Sequence, residues 1–95
     1  MIVGTLEMHL RIDGSYSLKD KRSVLRSLMD HARRDFQVSI AEVADQDLWN
    51  VSTIGASCVS NDVQHARSVL QKVLDRFDAC ADVSVVSGHI DMLQE

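Results

Sequence analysis

From Ile2 to Ile12 the apolar side chains fall on even positions (Ile2, Leu6, Met8, Leu10, Ile12), with Thr5, Glu7, His9 and Arg11 between them. A period of two puts alternate residues on opposite faces of an extended chain, so this segment is predicted to be a strand with one buried face. Asp13-Gly14-Ser15 breaks the alternation. From Leu18 to Phe36 the apolar positions Leu25, Leu28, Met29, Ala32 and Phe36 recur at steps of three and four. That spacing predicts an amphipathic helix, with Ser17 as its cap and Asp20 three residues on. Val38-Ser39-Ile40-Ala41-Glu42-Val43 reads as a strand whose alternation slips a register between Ile40 and Val43, as at a bulge or an edge. Asp45-Gln46-Asp47 is turn chemistry, and Val51 to Val59 is β-rich with small residues, so the two strands are predicted to form a hairpin. Asn61, with Gln64 at the reciprocal capping position, opens a second helix that lays Val63, Ala66, Leu70, Val73, Leu74 and Phe77 on one face. Val83 to Leu93 is the last strand.

The order β-α-β-β-α-β is that of the ferredoxin-like α+β sandwich, a four-stranded antiparallel sheet carrying two helices on one face. Right-handed crossovers make the first and third strands the central pair. The other sheet face is left open, and the first strand would present Thr5, Glu7, His9 and Arg11 there.

Length and composition narrow the reading further. A chain of 95 residues with 45% hydrophobic and 25% charged positions has the size and make-up of one globular domain, residues 1–95, which excludes a multi-domain enzyme. No segment is Ser/Gly-rich or repetitive, proline is absent, and no linker is visible. Cys58 and Cys80 have neither CxxC spacing nor a nearby His pair, so they are expected to be reduced, buried thiols. The first residues meet Glu7 before any long apolar run and lack a basic leader. Neither a secretory signal nor a membrane span is expected, and the cytoplasm is the expected compartment.

Charge is where the chain departs from the ordinary. Its formal net charge is -4, yet Ser17 to Phe36 holds six basic residues (Lys19, Lys21, Arg22, Arg26, Arg33, Arg34) against three acids, and Gln37 to Asp62 holds four acids with no Lys or Arg. At 100° per residue Lys19, Arg22, Arg26 and Arg33 lie within about 60° of arc, beside the apolar face. Such a stripe could set phosphates against the helix, each neutralised phosphate releasing counterions. The competing interpretation is an ordinary solvated face in which Asp30 pairs with Arg26, Arg33 and Arg34. Lys19-Asp20-Lys21-Arg22 also sits in the first turn, where the helix dipole disfavours cations. A bound anion at the free N–H groups is one explanation and lysines reaching to solvent the other. Lys19, Lys21, Arg22, Arg26 and Arg33 are therefore the candidate nucleic-acid or anion contacts.

Other candidates are weaker. Glu42, Asp45 and Asp47 carry carboxylates near the turn but fit no EF-hand, so turn-forming aspartates explain them better. Trp49 is either a partner or dimer anchor or a lid over the sheet edge. His9 and His89 fall on strands expected to be neighbours, flanked by Glu7 and Asp91, but two histidines do not make a zinc site, and no metal or other cofactor is expected. His31 and His65 lie on helix surfaces. No nucleophile elbow, phosphate-binding glycine loop or zinc-protease helix occurs, and Asp13-Gly14-Ser15-Tyr16 does not supply an acylphosphatase cradle, so no catalytic residue is assigned and an enzyme is not expected.

The series Ser17-Leu18-Lys19-Asp20-Lys21-Arg22, Val38-Ser39-Ile40-Ala41-Glu42-Val43 with Asp47-Leu48-Trp49, and Val59-Ser60-Asn61-Asp62 resembles the YlxP-like family of small uncharacterised bacterial proteins. Asn50 follows Trp49 where that family is expected to carry glutamine. The resemblance implies a ferredoxin-like fold and a cytoplasmic bacterial protein encoded beside translation-initiation and ribosome-maturation genes; it carries no established reaction or site. The first and third strands offer no aromatic platform for bases, so any RNA would be held by phosphate contacts. The resulting expectation is a non-enzymatic accessory protein that touches rRNA or a ribosome-associated protein through the basic helix, with no membrane partner. The alternative is a homodimeric small-molecule-sensing module joined through the open sheet face.

Overall fold

The computed structural model describes residues 1–94. It contains β1 (Ile2–Ile12), α1 (Leu18–Phe36), β2 (Ser39–Ala44), β3 (Val51–Ser60), α2 (Val63–Asp78) and β4 (Val83–Gln94). The sheet is antiparallel throughout, in the order β2-β3-β1-β4, so β1 and β3 are the central strands of a ferredoxin-like sandwich. At about 3.3 Å per residue the twelve-residue β4 spans close to 40 Å. This strand length sets the 42 Å long axis of the molecule.

Alternation in β1 builds the core. Ile2, Leu6, Met8, Leu10 and Ile12 are buried toward the helices, while Glu7, His9 and Arg11 are exposed on the opposite face. Ile54 and Ala56 of β3 lie opposite Met8 and Leu6 on the covered face. Leu25, Leu28 and Ala32 of α1 and Leu70, Val73 and Phe77 of α2 close over them. Burying side chains of this size stabilises by roughly 1.5–3 kcal/mol each, before chain entropy is subtracted.

The two helices sit at different heights. α2 lies over β1, β3 and β4, whereas α1 approaches β2 and the flank of α2. Gly4 and Gly88 allow the closer seat. A Cβ on Gly4 would stand 2.8 Å from Leu70 Cδ1 and 3.4 Å from Ala66 Cβ, and one on Gly88 would stand 2.9 Å from Leu74 Cδ1. A second tie joins the helices at their flanks: Asp35 accepts from Arg76 Nη1 at 3.0 Å, and the Arg76 guanidinium lies 5.1 Å from the centre of the Phe36 ring.

Three local expectations are corrected. The cap of α2 is Asp62, whose carboxylate accepts from Gln64 N at 3.0 Å, and not Asn61. Both residues are good caps; Asp62 has the extended backbone that a cap needs. The slip in β2 falls between Glu42 and Ala44, so Ile40 and Glu42 share one face and Val43 occupies the irregularity. Cys58 and Cys80 are free but only half-buried, because each lies at the margin of the core.

Gly4→Ala is expected to lower stability by about 1–3 kcal/mol, because the added methyl meets Leu70 and Ala66, both themselves buried. The check is the urea midpoint with an unchanged m value; a wild-type midpoint would mean that α2 lifts without cost.

Candidate nucleic-acid interface

Helix α1 begins at a built cap. The Ser17 hydroxyl accepts from Asp20 N at 3.1 Å, and the Asp20 carboxylate reaches back to the Tyr16 N–H at 3.2 Å. It ends with Gln37 in the left-handed region (φ 54°), whose N–H bonds Arg33 O at 3.0 Å. Both ends being fixed, the rotation of the helix about its axis decides where its charges point.

Lys21 does not belong to the exposed stripe, and the structure corrects that expectation. Its side chain is fully buried, at 0% exposure. The ammonium is 2.8 Å from Glu42 Oε2 and donates to the carbonyls of Asp45 at 2.7 Å and Leu48 at 2.5 Å. Three donors meet three oxygens, so the charge is matched and hydrogen-bonded throughout. Ser52 Oγ donates to the same Glu42 oxygen at 2.6 Å. The sequence held the signal: Lys21 falls at about 200° on a wheel counted from Lys19, between Leu28 near 180° and Ala32 near 220°. Glu42 is in phase with Ile40, so a carboxylate and a lysine both point into covered space.

With Lys21 turned inward, Lys19, Arg22 and Arg26 are exposed, and among the described residues none of the three makes a hydrogen bond or an ion pair. Arg22 and Arg26 form a ridge. On one side lies an open groove of about 500 Å³ with Lys19, Ser23 and Ser27. On the other is one of about 380 Å³ floored by Leu25 and Met29. Arg33 is at the end of the stripe and is already engaged: Nη1 is 2.9 Å from Asp30 and Nη2 donates to Ile40 O at 2.6 Å. That second bond occupies an outward carbonyl of the edge strand β2 and so blunts strand addition there. Asp30 pairs with Arg33 alone of its three candidates; Arg34 turns instead to Asp35 at 3.3 Å.

The β2–β3 connection, residues 45–50, is held against α1 by the Lys21 bonds. Asp45 is left-handed (φ 65°) and accepts from Thr53 Oγ1 at 2.8 Å; Leu48 N donates to Asp45 O at 3.1 Å, and Ile12 N to Asn50 O at 2.9 Å. Asp45 therefore shapes the turn and Asp47 lies exposed in it. Trp49, between the two tethered residues Leu48 and Asn50, is 46% exposed and precedes β3. Tyr16, next to the α1 cap, is 84% exposed, a feature that sequence periodicity did not single out.

The open sheet face carries the other titratable groups. The register sets His89 opposite Glu7 and His9 opposite Ser87, so the histidines are offset, and each meets its own acid: His89 and Asp91 at 2.9 Å, His9 and Glu7 at 3.7 Å. No group of three or more His, Cys, Asp or Glu side chains converges on a metal position among the described residues. A hollow of about 630 Å³ lies on this face above Gly55, between Val43, Ser57, Thr5 and the Glu7–His89 pair. Elsewhere, the Ser84 hydroxyl and then Arg11 hold Asp13 below the ordinary carboxylate range, and Arg76 followed by Arg34 does the same for Asp35. Burial raises the Cys58 thiol.

Lys21→Ala is expected to destabilise the fold by about 3 kcal/mol, since it strands the Glu42 carboxylate and two carbonyls with their cation gone. Lys21→Met combined with Glu42→Gln should cost clearly less than the two single changes added together in urea denaturation. Strict additivity would mean that the pair is not coupled.

No helix among the described residues is long and apolar enough to cross a membrane. The fold is shared with the de novo designed protein Foldit4, at a TM-score of 0.57 and 7% identity over 100% of this chain and 99% of that one. In sequence the chain is similar to the uncharacterized protein YlxP of Bacillus subtilis (strain 168), 32% identical over 82 residues that cover 86% of this chain and 89% of the relative. Residues 3–90 match the family described as protein of unknown function (DUF503). By both its family match and its relative, the chain belongs to the DUF503 family of YlxP-like bacterial proteins, whose function is uncharacterised.

Proposed function

We propose that this protein is a non-enzymatic RNA-contacting accessory factor that seats the phosphates of ribosomal RNA on the ridge of Lys19, Arg22 and Arg26. The observation that carries this reading is that three neighbouring cations stay unpaired on one helix face of a chain with formal charge -4. One of them, Lys19, lies in the first turn, where the helix dipole makes a cation unfavourable by about 0.3–1 kcal/mol. A polyanion supplies the missing counter-charge, releasing condensed ions as it binds. The translation context that the family resemblance implies makes rRNA the natural source of that polyanion.

The test is co-sedimentation with ribosomal subunits across a salt series. Binding should weaken as salt rises, with a log–log slope near -2 for about three phosphates, and Arg22→Glu or Arg26→Glu should abolish most of it. Equal retention at low and high salt, or retention unaffected by either reversal, would sink the proposal.

A homodimer through the open sheet face is a second reading, favoured by one feature. Val59, Val3 and Leu93 are directly opposite one another across β3, β1 and β4, forming an apolar row in which Val59 is 69% and Leu93 62% exposed. The Gly55 hollow would then be roofed by the second copy and could take a small ligand. Light scattering should give twice the monomer mass for the wild type and the monomer mass for Leu93→Lys; a monomer at all concentrations rejects this arrangement.

A further inference from the structure

The basic ridge is not alone at its end of the molecule. The chain has four aromatic residues, one Trp, one Tyr and two Phe. Phe77 is fully buried, and Phe36 is half-buried beneath Arg76. The other two, Tyr16 and Trp49, both stand outside where α1 begins: Tyr16 immediately precedes the cap, and Trp49 follows Leu48, whose carbonyl is bound by Lys21 of the first helical turn. Among the described residues the Trp49 indole N–H has no acceptor.

Trp49 is also pre-positioned. The carbonyls of Leu48 and Asn50 on either side of it are both taken, one by the Lys21 ammonium and the other by Ile12 N, and Asp45 at the head of the turn is locked by Thr53. A large flat ring on a turn with so little freedom loses little entropy when something packs on it. Among the described residues no aromatic side chain stands on the open sheet face, where the outward residues of β1 and β3 include Val3, Thr5, Glu7, His9 and Arg11 and Thr53, Gly55, Ser57 and Val59.

We infer that Trp49, with Tyr16, forms a base-stacking platform beside the phosphate ridge, so that this end of the molecule selects single-stranded RNA over duplex. The inference rests on the phosphate-binding reading above and adds the class of nucleic acid. The ridge of Lys19 and Arg22 tracks the backbone, and an unpaired base turned out from it lies against the indole. A duplex keeps its bases stacked inside and offers the ring nothing. An acidic protein surface would use the same cations but would not need the aromatic faces.

Trp49 is the one tryptophan of the chain, so its emission reports the contact directly. A labelled oligo(U) RNA of about twelve nucleotides should bind by anisotropy and quench the indole with the same midpoint. Trp49→Ala should weaken binding by roughly tenfold or more with the salt slope unchanged, and Trp49→Phe should restore most of it. Arg22→Gln should instead flatten the slope by about 0.7. Duplex RNA of equal length should bind less tightly and leave the emission alone. The stacking inference is overturned, with the phosphate reading intact, if oligo(U) binds in a salt-sensitive manner while the indole is silent, if Trp49→Ala matches wild type, or if duplex competes equally. Poly-glutamate binding as tightly as oligo(U) points to an acidic protein and overturns it as well. Absence of any RNA binding overturns both readings together.

Discussion

The fixed point of this molecule is one buried ammonium group. Removing a lysine from water carries a penalty of several kcal/mol, and it is tolerated here because Glu42 and the carbonyls of Asp45 and Leu48 take its three protons. Its consequence is directional. An α-helix advances 100° per residue, so once Lys21 is committed to the covered side, Lys19, Arg22 and Arg26 have only the outer side to occupy. The same group fastens the β2–β3 turn to α1, which would otherwise be joined to the sheet chiefly through the short strand β2.

The exposed cations follow from a shortage of acids nearby. Asp20 is used at the cap, Asp30 is spent on Arg33, and Asp35 is shared between Arg34 and Arg76. Glu42, the nearest acid of β2, is turned inward to Lys21 and Ser52. No carboxylate of α1 therefore remains for Lys19, Arg22 or Arg26. The local excess of positive charge in an acidic chain is a property of the packed structure, because a different rotamer choice at Asp30 would have matched Arg26 instead.

Most of the fold was legible because periodicity is read against a simple physical rule: β1 alternates cleanly from Thr5 to Ile12, α1 and α2 repeat at three and four, and the crossover rule orders the strands. The errors lie where two residues satisfy one rule. Asn61 and Asp62 are both good caps, and only the backbone angles choose between them. Lys21 was legible on the wheel as a core-face position, but a cation there conflicts with the usual polarity rule, and grouping it by charge hid its phase. Its partner Glu42 carried the complementary conflict, an acid in phase with Ile40. Two such conflicts on facing elements are what a buried ion pair looks like in sequence. The carbonyls of Asp45 and Leu48 leave no trace there, since any residue type supplies them. The exposure of Trp49 and Tyr16 is likewise set by turn geometry, on which composition is silent.

The helical and open sides of the sandwich carry opposite character, and this orders the ways in which the protein can meet others. On the open face Glu7 of the central strand β1 and Asp91 of the edge strand β4 each stand beside a histidine, and the apolar row of Val3, Val59 and Leu93 crosses one end. A polyanion approaching that face meets carboxylates at short range, and within a Debye length of about 8–10 Å it is repelled. Approaching α1, it meets cations that no carboxylate of that helix pairs with, Asp30 between the two grooves being engaged by Arg33. The sheet separates the two surfaces, so a second copy seated on the open face leaves the outward ridge of α1 clear. Contact with RNA and self-association are thus compatible on geometric grounds, and a two-fold pair would present two ridges to one strand, raising avidity wherever the strand is long enough to span them.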